Sequence, residues 1–543
     1  MLKTLQNNPI ISIVLLVVVM LGFSIEHLPV SIMEARNFIT AREMVTDGNW
    51  LLTTMNGVAR YEKPPLPTWL SAIFGFMFGI KTIIALRFPA ILLVATTGVG
   101  IYLISKELLL DKLHSLFNAL IGVTSFYVIG IIIEAPWDIF THGFMLIGIY
   151  FLFQLFEGEK HIKNSLLAGC FIGFSILSKG PISIYALLLP FLLTYGLTYK
   201  YKLSKAQVGS VFTCIMVALA VGGWWYFYVR FNDHETFKVI AEKETANWAN
   251  YNVKPFYYYW SFFTQSGIWT IPAFIGLIYP YLKSRVSNLK AYRFSLLWTI
   301  LGVILLSLVP EKKARYLMPI LIPLAINTGF YIDYLIRNFK TLQDQRETIP
   351  VYFNFGLIAC IGILFPLVGF ALGSFLTGVM LLWFILASII LVTIGFLILF
   401  HLKKKNIKQV FYLCVAFIAS VLITVIPLSK FQIGSGYNPV SSLKEEASEQ
   451  GFNVYCLDNI APEIIWQFGD KIPSILNDNG TILFPEEPRF GLLVNGLKTE
   501  TKEFLEADFI LEKKETFDLN FSDTDSKKHN QRLVSDYYVL TKK

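Results

Sequence analysis

The stretch Met33–Leu66, MEARNFITAREMVTDGNWLLTTMNGVARYEKPPL, is the first sizeable polar segment of the chain, and the residues beyond it are almost entirely apolar helix. Its charged residues Glu34, Arg36, Arg42, Glu43, Arg60, Glu62 and Lys63 lie between the apolar run Pro9–Ile25 and the pair Pro64-Pro65. Charges collected at a membrane surface beside a stiff Pro-Pro turn point to a site for an anionic, membrane-borne ligand.

Of 543 residues, 55% are hydrophobic and 15% charged, and the mean hydropathy is +0.56. That leaves too little charged surface for a water-soluble globule of this size, so the fold class is a polytopic α-helical membrane protein. The net charge of +8 is no sign of nucleic-acid binding, because most Lys and Arg sit in short loops between apolar runs, where they set topology. Cys170, Cys214, Cys360 and Cys414 lie inside apolar runs and Cys456 stands alone in the tail, so neither a disulfide framework nor a CxxC metal site is available. Lys3 followed by an apolar run without a clean small-residue cleavage site reads as a retained signal anchor.

A spanning helix needs about 20 apolar residues, which places spans near 9–29, 84–105, 114–133, 139–156, 165–178, 182–198, 207–229, 257–281, 293–309, 317–336, 350–371, 376–401 and 409–428, about thirteen in all. Pro67–Ile80, at about 14 residues, suits an interfacial or re-entrant helix better than a span. With that segment not crossing, the basic loops at Lys106 and Lys112, Lys160 and Lys163, Lys200–Lys205, Lys283–Lys290, Arg337–Arg346 and Lys403–Lys408 fall on the same side as Lys3. The N-terminus is therefore expected in the cytoplasm and the C-terminus outside it. The outer face then receives Met33–Leu66, the junction Glu134-Ala135-Pro136-Trp137-Asp138, the turn Ser178-Lys179-Gly180-Pro181, the loop Asn232–Lys254 and Pro310–Tyr316.

The transmembrane domain is expected to cover residues 1–429, with its first outer loop at 30–83. From residue 430 the composition becomes that of a soluble domain, expected to be a small α/β unit of about 110 residues. Asn453–Leu457, Phe490–Val494 and Leu533–Leu540 read as strands and Pro462–Phe468 as a helical turn.

Glu34 and Asp138 are outer-face carboxylates placed where a span meets a polar loop, and together in one cavity they would supply a general base and its partner. The structural alternatives are that Glu34 neutralises Arg36 or Arg42, and that Asp138 caps the helix from Ile139. Lys63, fixed before Pro64-Pro65, suits a phosphate oxygen with Arg36 as a second donor, although a lone lysine there commonly snorkels to headgroups. Lys179, Lys312, Lys313 and Arg315, the last beside Tyr316, add cations at the same level against the positive-inside bias. The aromatics Trp248, Tyr251, Tyr257, Tyr258, Tyr259 and Trp260 read mostly as an interfacial belt. No P-loop, GxSxG, HExxH or Rossmann fingerprint occurs. No cofactor is firmly expected. A divalent cation would find oxygen ligands in Glu62 with Glu34 or Asp138, without a spacing rule to support it.

The motifs Glu34-Ala-Arg36, Ala41-Arg42-Glu43-Met44, Gly48-Asn49-Trp50 and Tyr61-Glu62-Lys63-Pro64-Pro65-Leu66 resemble the first outer loop of the GT-C membrane glycosyltransferases. The similarity is to the aminoarabinose lipid A transferases and the wider protein O-mannosyltransferase superfamily. The Asp138 junction, Ser178–Pro181 and Lys312–Pro319 extend it to about residue 336. The resemblance implies a polyprenyl-phosphate-linked sugar donor and a glycolipid, glycan or protein acceptor on the outer face of the cytoplasmic membrane. It implies that an acid of the first outer loop acts near the acceptor and that the Lys of the EKPP motif binds donor phosphate. Glu34 and Lys63 occupy those positions, and Tyr61, Glu62, Arg42 and Glu244 are expected to line the cavity. Where such relatives carry an Asp-Glu pair this chain has Met33-Glu34, and it lacks the Arg that aminoarabinose transferases often carry near Trp248.

These expectations add up to inverting transfer of a hexosyl or pentosyl group, with Lys63, Arg36, Lys179, Lys313, Arg315 and Tyr316 around the departing phosphate. The competing readings are a lipid-linked sugar flippase, which repeated halves and midplane polar groups would have favoured, and a non-catalytic envelope scaffold.

Overall fold

The computed structural model describes residues 6–23, 25–109, 111–134, 136–158, 160–373, 376–431, 436–458, 460–477 and 480–543. Lys3, Ala135 and the side chains of Glu134 and Trp248, all named above, lie outside the described residues. The chain divides into two compact units, one comprising residues 1–28, 61–67 and 87–428, the other residues 29–60, 68–86 and 429–543.

The first unit is helical. Among the described residues nine helices are long and apolar enough to cross a membrane: Pro9–His27, Ile83–Leu108, Pro136–Phe156, Lys205–Asn232, Leu289–Leu308, Ala314–Asn338, Gln345–Leu372, Gly378–Lys403 and Ile407–Leu428. Ala314–Asn338 is almost wholly buried, whereas Gln345–Leu372 and Lys205–Asn232 leave most of their surface open, as helices facing lipid do. The chain is a multi-pass membrane protein.

The remaining expected spans are interrupted or polar. The segment 114–133 is two helices, Lys112–Val123 and Phe126–Glu134. Between them the hydroxyls of Thr124 and Ser125 donate to the carbonyls of Leu120 and Ile121, competing with the helical ladder. The segment 182–198 begins as a five-residue π-helical stretch, Ile184–Leu188. The segment 257–281 is a series of 3₁₀ and short α turns, kinked at Gly267, whose φ of 66° only glycine adopts without strain. His161–Lys179 is a continuous helix, but His161, Lys163, Asn164 and Ser165 make its first turns polar.

The second unit joins the first polar loop to the C-terminal chain. The loop has its own hairpin, β1 (Thr54–Met55) paired with β2 (Val58–Ala59). Its turn residues Asn56 and Gly57 have φ of 57° and 78°, the pair of positive values that a tight right-twisting hairpin needs and that Asn-Gly supplies. Glu43 pins this turn, accepting from Thr54 Oγ1 at 2.5 Å and from the Asn56 and Gly57 amides at 2.6 and 3.3 Å. Asn56 in turn makes reciprocal bonds with the backbone of Ile472, at 2.8 and 2.7 Å.

The four-stranded sheet of this unit comprises β3 (Val454–Cys456), β4 (Arg489–Val494), β5 (Phe509–Asp518) and β6 (Val534–Lys542) in the order β3-β4-β6-β5, parallel between β3 and β4 and antiparallel elsewhere. Three of these strands and the helix Pro462–Phe468 match the expected segments; β5 and the helix Thr499–Asp508 are additional to them. Ile39, from the helix Ile32–Asp47, is buried in the same core as Ile464, Phe468, Leu493, Phe517 and Val539. Burying side chains of this size contributes roughly 1.5–3 kcal/mol each. Phe38 packs its ring 5.3 Å from that of Trp466. The short apolar segment expected not to cross is the helix Leu66–Phe78.

Candidate functional site

In the membrane unit, the expected residues Asp138, Lys179, Lys313, Arg315 and Tyr316 come together. Lys179 is the last residue of its helix, which Gly180 terminates with φ 77° before Pro181 prevents continuation. A side chain at Gly180 would meet the Tyr226 hydroxyl at 3.2 Å, so the turn is closely packed. Asp138 sits in the first turn of the helix Pro136–Phe156, where a negative charge is favoured by the helix dipole. Its Oδ1 accepts from Lys179 Nζ; Asp138 is buried and the Lys179 side chain is 10% exposed. Its Oδ2 is buried with no partner.

Tyr316 is the plate around which the cations are arranged. Lys179 Nζ, Lys313 Nζ and the Arg315 guanidinium carbon lie 5.4, 5.6 and 5.9 Å from the ring centroid, within the range at which a ring quadrupole attracts cations. Lys313 also lies 4.8 Å from the ring centroid of Tyr251. Glu311 accepts from Lys313 Nζ at 2.6 Å and from the Tyr316 hydroxyl at 2.9 Å. Arg315 Nε is buried without a partner.

Lys63 belongs to the same unit. It is half-buried between exposed Glu62 and buried Pro64-Pro65, and its Nζ pairs with Glu244 Oε2 at 2.8 Å. It lies close enough to act electrostatically on Lys179, as Arg315 does. Two residues earlier, Tyr61 donates to Asp233 Oδ2 at 2.9 Å. Burial first, then this bond to a carboxylate, raise the Tyr61 pKa. Asp233, bonded by Thr236 and Tyr61, is held below its usual range although burial opposes the shift.

Lys312 is separate from this constellation. It turns inward, donating to the carbonyls of Val309 at 2.6 Å and Lys254 at 3.0 Å, and so closes the end of the helix Leu289–Leu308. Burial depresses its pKa.

Glu34, Arg36 and Arg42 belong to the second unit. Glu34 is the third residue of the helix Ile32–Asp47 and completes a capping box: its Oε2 accepts from the Ser31 amide at 3.1 Å, and Ser31 Oγ accepts from the Glu34 amide at 3.3 Å. It is 1% exposed. Arg36 is half-buried, with Nε buried and unpartnered, and its carbonyl accepts from Arg60 at 2.8 Å. Arg42 is buried and donates to the Ile465 carbonyl at 3.4 Å; burial lowers its pKa against the pull of Glu43, Asp470 and Asp47. Glu311 and Asp233 were not singled out from the sequence, and Tyr251 was read there as part of an interfacial belt. The signal for Glu311 was a lone acid directly before three cations; for Asp233, nothing short of the fold supplied one.

A divalent ion at Asp138 would have to share the carboxylate with the ammonium of Lys179. Among the described residues, the group of potential metal ligands is Asp111, His114 and Asp333, and Arg337 already pairs with Asp333 at 2.8 Å.

Residues 62–224, which include Lys63, Asp138 and Lys179, match the family described as dolichyl-phosphate-mannose-protein mannosyltransferase. Among solved structures, ArnT from Cupriavidus metallidurans bound to undecaprenyl phosphate aligns over 98% of this chain and 97% of that one, with a TM-score of 0.66 at 14% identity. The chain shares the fold of that protein. The apo state of the same Cupriavidus protein gives a TM-score of 0.65, so the likeness in fold holds for both forms, over 99% of this chain and 98% of that one at 15% identity. An uncharacterized protein of Aquifex aeolicus is 25% identical over 347 residues, 61% of this chain and 66% of that protein. The undecaprenyl phosphate-alpha-4-amino-4-deoxy-L-arabinose arabinosyl transferase of Yersinia enterocolitica is 25% identical over 351 residues, 61% of this chain and 60% of that enzyme. The matches cover less than two thirds of the length of these curated relatives.

Proposed function

We propose that this protein is an inverting glycosyltransferase that moves a sugar from a polyprenyl-phosphate donor to an envelope acceptor, a lipid A-like glycolipid, a glycan or a protein, on the outer face of the cytoplasmic membrane. The observation that carries this reading is the gathering of Lys179, Lys313 and Arg315 around Tyr316, with Lys63 within electrostatic reach of Lys179. The positive-inside pattern supports a cytoplasmic N-terminus and an extracytoplasmic C-terminal α/β domain. About thirteen membrane segments are proposed, counting the interrupted and polar helices.

In this reading the acceptor oxygen bonds to the anomeric carbon as the bond from that carbon to the phosphate oxygen breaks. The phosphate leaves with the electron pair and gains negative charge, which the preorganised cations stabilise. A phosphate needs no general acid to depart, in contrast to the alcohol released in glycoside hydrolysis. Of the two candidate carboxylates, the capping role of Glu34 favours Asp138, whose Oδ1 orients Lys179 and whose bare Oδ2 can receive the acceptor proton. No metal ion is assigned a step.

Purified protein incubated with a radiolabelled polyprenyl-phosphate sugar and an outer-membrane lipid extract tests the proposal. Label moving to a new acceptor supports it. Label that only crosses vesicles makes the protein a transporter, and label that stays on the donor leaves a scaffold.

A further inference from the structure

Three lysines of the proposed phosphate site are already paired: Lys179 with Asp138, Lys313 with Glu311 and Lys63 with Glu244. With Arg315, the site sets four cations against three carboxylates. An arriving phosphodiester therefore meets carboxylates on the very ammonium groups it needs, and two anions sharing one ammonium repel across a few ångströms.

The three carboxylates differ in their freedom to withdraw. Asp138 has a side chain 2% exposed, enclosed with its lysine. Glu311 is 12% exposed and held by two donors, Lys313 and the Tyr316 hydroxyl. Its backbone is bridged to Val253. Glu244 is 35% exposed, has Lys63 as its hydrogen-bond partner, and projects from the helix His234–Asn250, where its neighbours Glu242, Lys243 and Thr245 face solvent. Asp233 ties the start of the same helix to Tyr61, so its root can stay in place while the Glu244 side chain swings away.

We propose that Glu244 is the displaceable counter-ion of the donor site: it holds Lys63 while the site is empty and is exchanged for the donor phosphate when the lipid binds. The exchange rests on the reading of Lys63 as a phosphate ligand. Lys63, fixed by the two prolines after it, is thereby kept extended and charged between turnovers, and Glu244 offers a competing partner when the product phosphate must leave. Glu244 is a positioning residue; it touches Lys63, not the reacting carbon.

The consequence is that the two members of one ion pair respond to substitution with opposite signs. Binding of undecaprenyl phosphate is measured on the full-length protein in detergent for the unsubstituted chain and for Glu244→Gln, Lys63→Ala and Glu242→Gln. Glu244→Gln is expected to bind about tenfold more tightly, since the competing charge is gone. Lys63→Ala is expected to bind at least tenfold more weakly, and Glu242→Gln, which removes an equal charge from the same helix without contacting Lys63, to bind as the unsubstituted chain does. Weaker or unchanged binding by Glu244→Gln, with Lys63→Ala weakened, overturns the exchange while leaving the phosphate site standing. Equal tightening by Glu244→Gln and Glu242→Gln also overturns it, because the effect is then one of net charge. Unchanged binding by Lys63→Ala removes Lys63 from the phosphate site and the exchange with it.

Discussion

Lys179, the final residue of one helix, donates its ammonium to Asp138 in the first turn of another, and the two side chains are 10% and 2% exposed. Removing one partner of a buried pair strands the other charge, at a cost of roughly 3–5 kcal/mol. Lys179→Met and Asp138→Asn are each expected to lower the unfolding temperature of the detergent-solubilised protein, and the double substitution to restore part of the loss. Transfer should fall at least a hundredfold in both single variants, while donor-phosphate affinity falls more in Lys179→Met. Thermal unfolding and lipid-binding measurements on the same preparations check this, and a double variant less stable than either single one would count against the pairing.

Lys63→Ala is expected to reduce turnover at least tenfold through the lost charge-assisted contact to donor phosphate. Its abundance in the membrane should be normal, since the pair with Glu244 is half-exposed and such pairs contribute at most about 1 kcal/mol. Initial rates normalised to protein amount are the measure.

Glu34→Gln separates capping from chemistry, because glutamine completes a capping box as glutamate does. The expected outcome is near-unchanged stability and at most a few-fold loss of turnover, whereas Glu34→Ala costs about 1 kcal/mol of stability. A hundredfold loss of turnover in a fully stable Glu34→Gln protein would return the base role to the first loop.

Asn56→Ala deletes two hydrogen bonds to Ile472 and a residue suited to positive φ. Destabilisation of roughly 1–3 kcal/mol is expected, and hydrogen exchange should rise at residues 54–59 and around 472.

Asp518 supplies a pH dependence. Burial pushes its pKa up, but His529 Nε2 at 2.8 Å and the Asn520 amide and Nδ2 at 2.8 and 2.7 Å stabilise the charged form and hold the pKa below its ordinary 3.8. A depressed carboxyl pKa gives stability that is complete above the unfolded value and lost as pH falls through the folded one. The C-terminal sheet should therefore weaken below about pH 4, and Asp518→Asn should remove that part of the acid sensitivity. Unfolding curves at pH 7 and pH 3 test both.

How much of the fold and site could be read from the residues depends on how local each signal was. The long spans, the strands Arg489–Val494 and Val534–Lys542 and the helix Pro462–Phe468 carry continuous apolar runs or strict periodicity, so they were legible directly. The strand β5 hides behind Glu512, Lys513, Lys514 and Glu515, which an edge strand tolerates because one side faces solvent and which here accompany a bulge between Lys513 and Glu515. The break at Thr124-Ser125 was invisible because both residues are common inside membrane helices. At the site, Lys63, Lys179, Lys313 and Arg315 stood out as cations that the positive-inside pattern sets on the less usual side. Their pairing with Glu244 and Glu311 did not, since contacts across distant segments are decided by tertiary folding. The same holds for the inward turn of Lys312.

The burial of Ile39 among residues beyond 440 has a consequence for biogenesis. The first polar loop leaves the ribosome early, yet the strands that cover its apolar face are the last to be made. At ordinary rates of synthesis the delay is on the order of tens of seconds. Throughout it the loop must wait with an uncovered greasy surface, a natural substrate for chaperones. A chain cut short before its final hundred residues would leave that wait without an end.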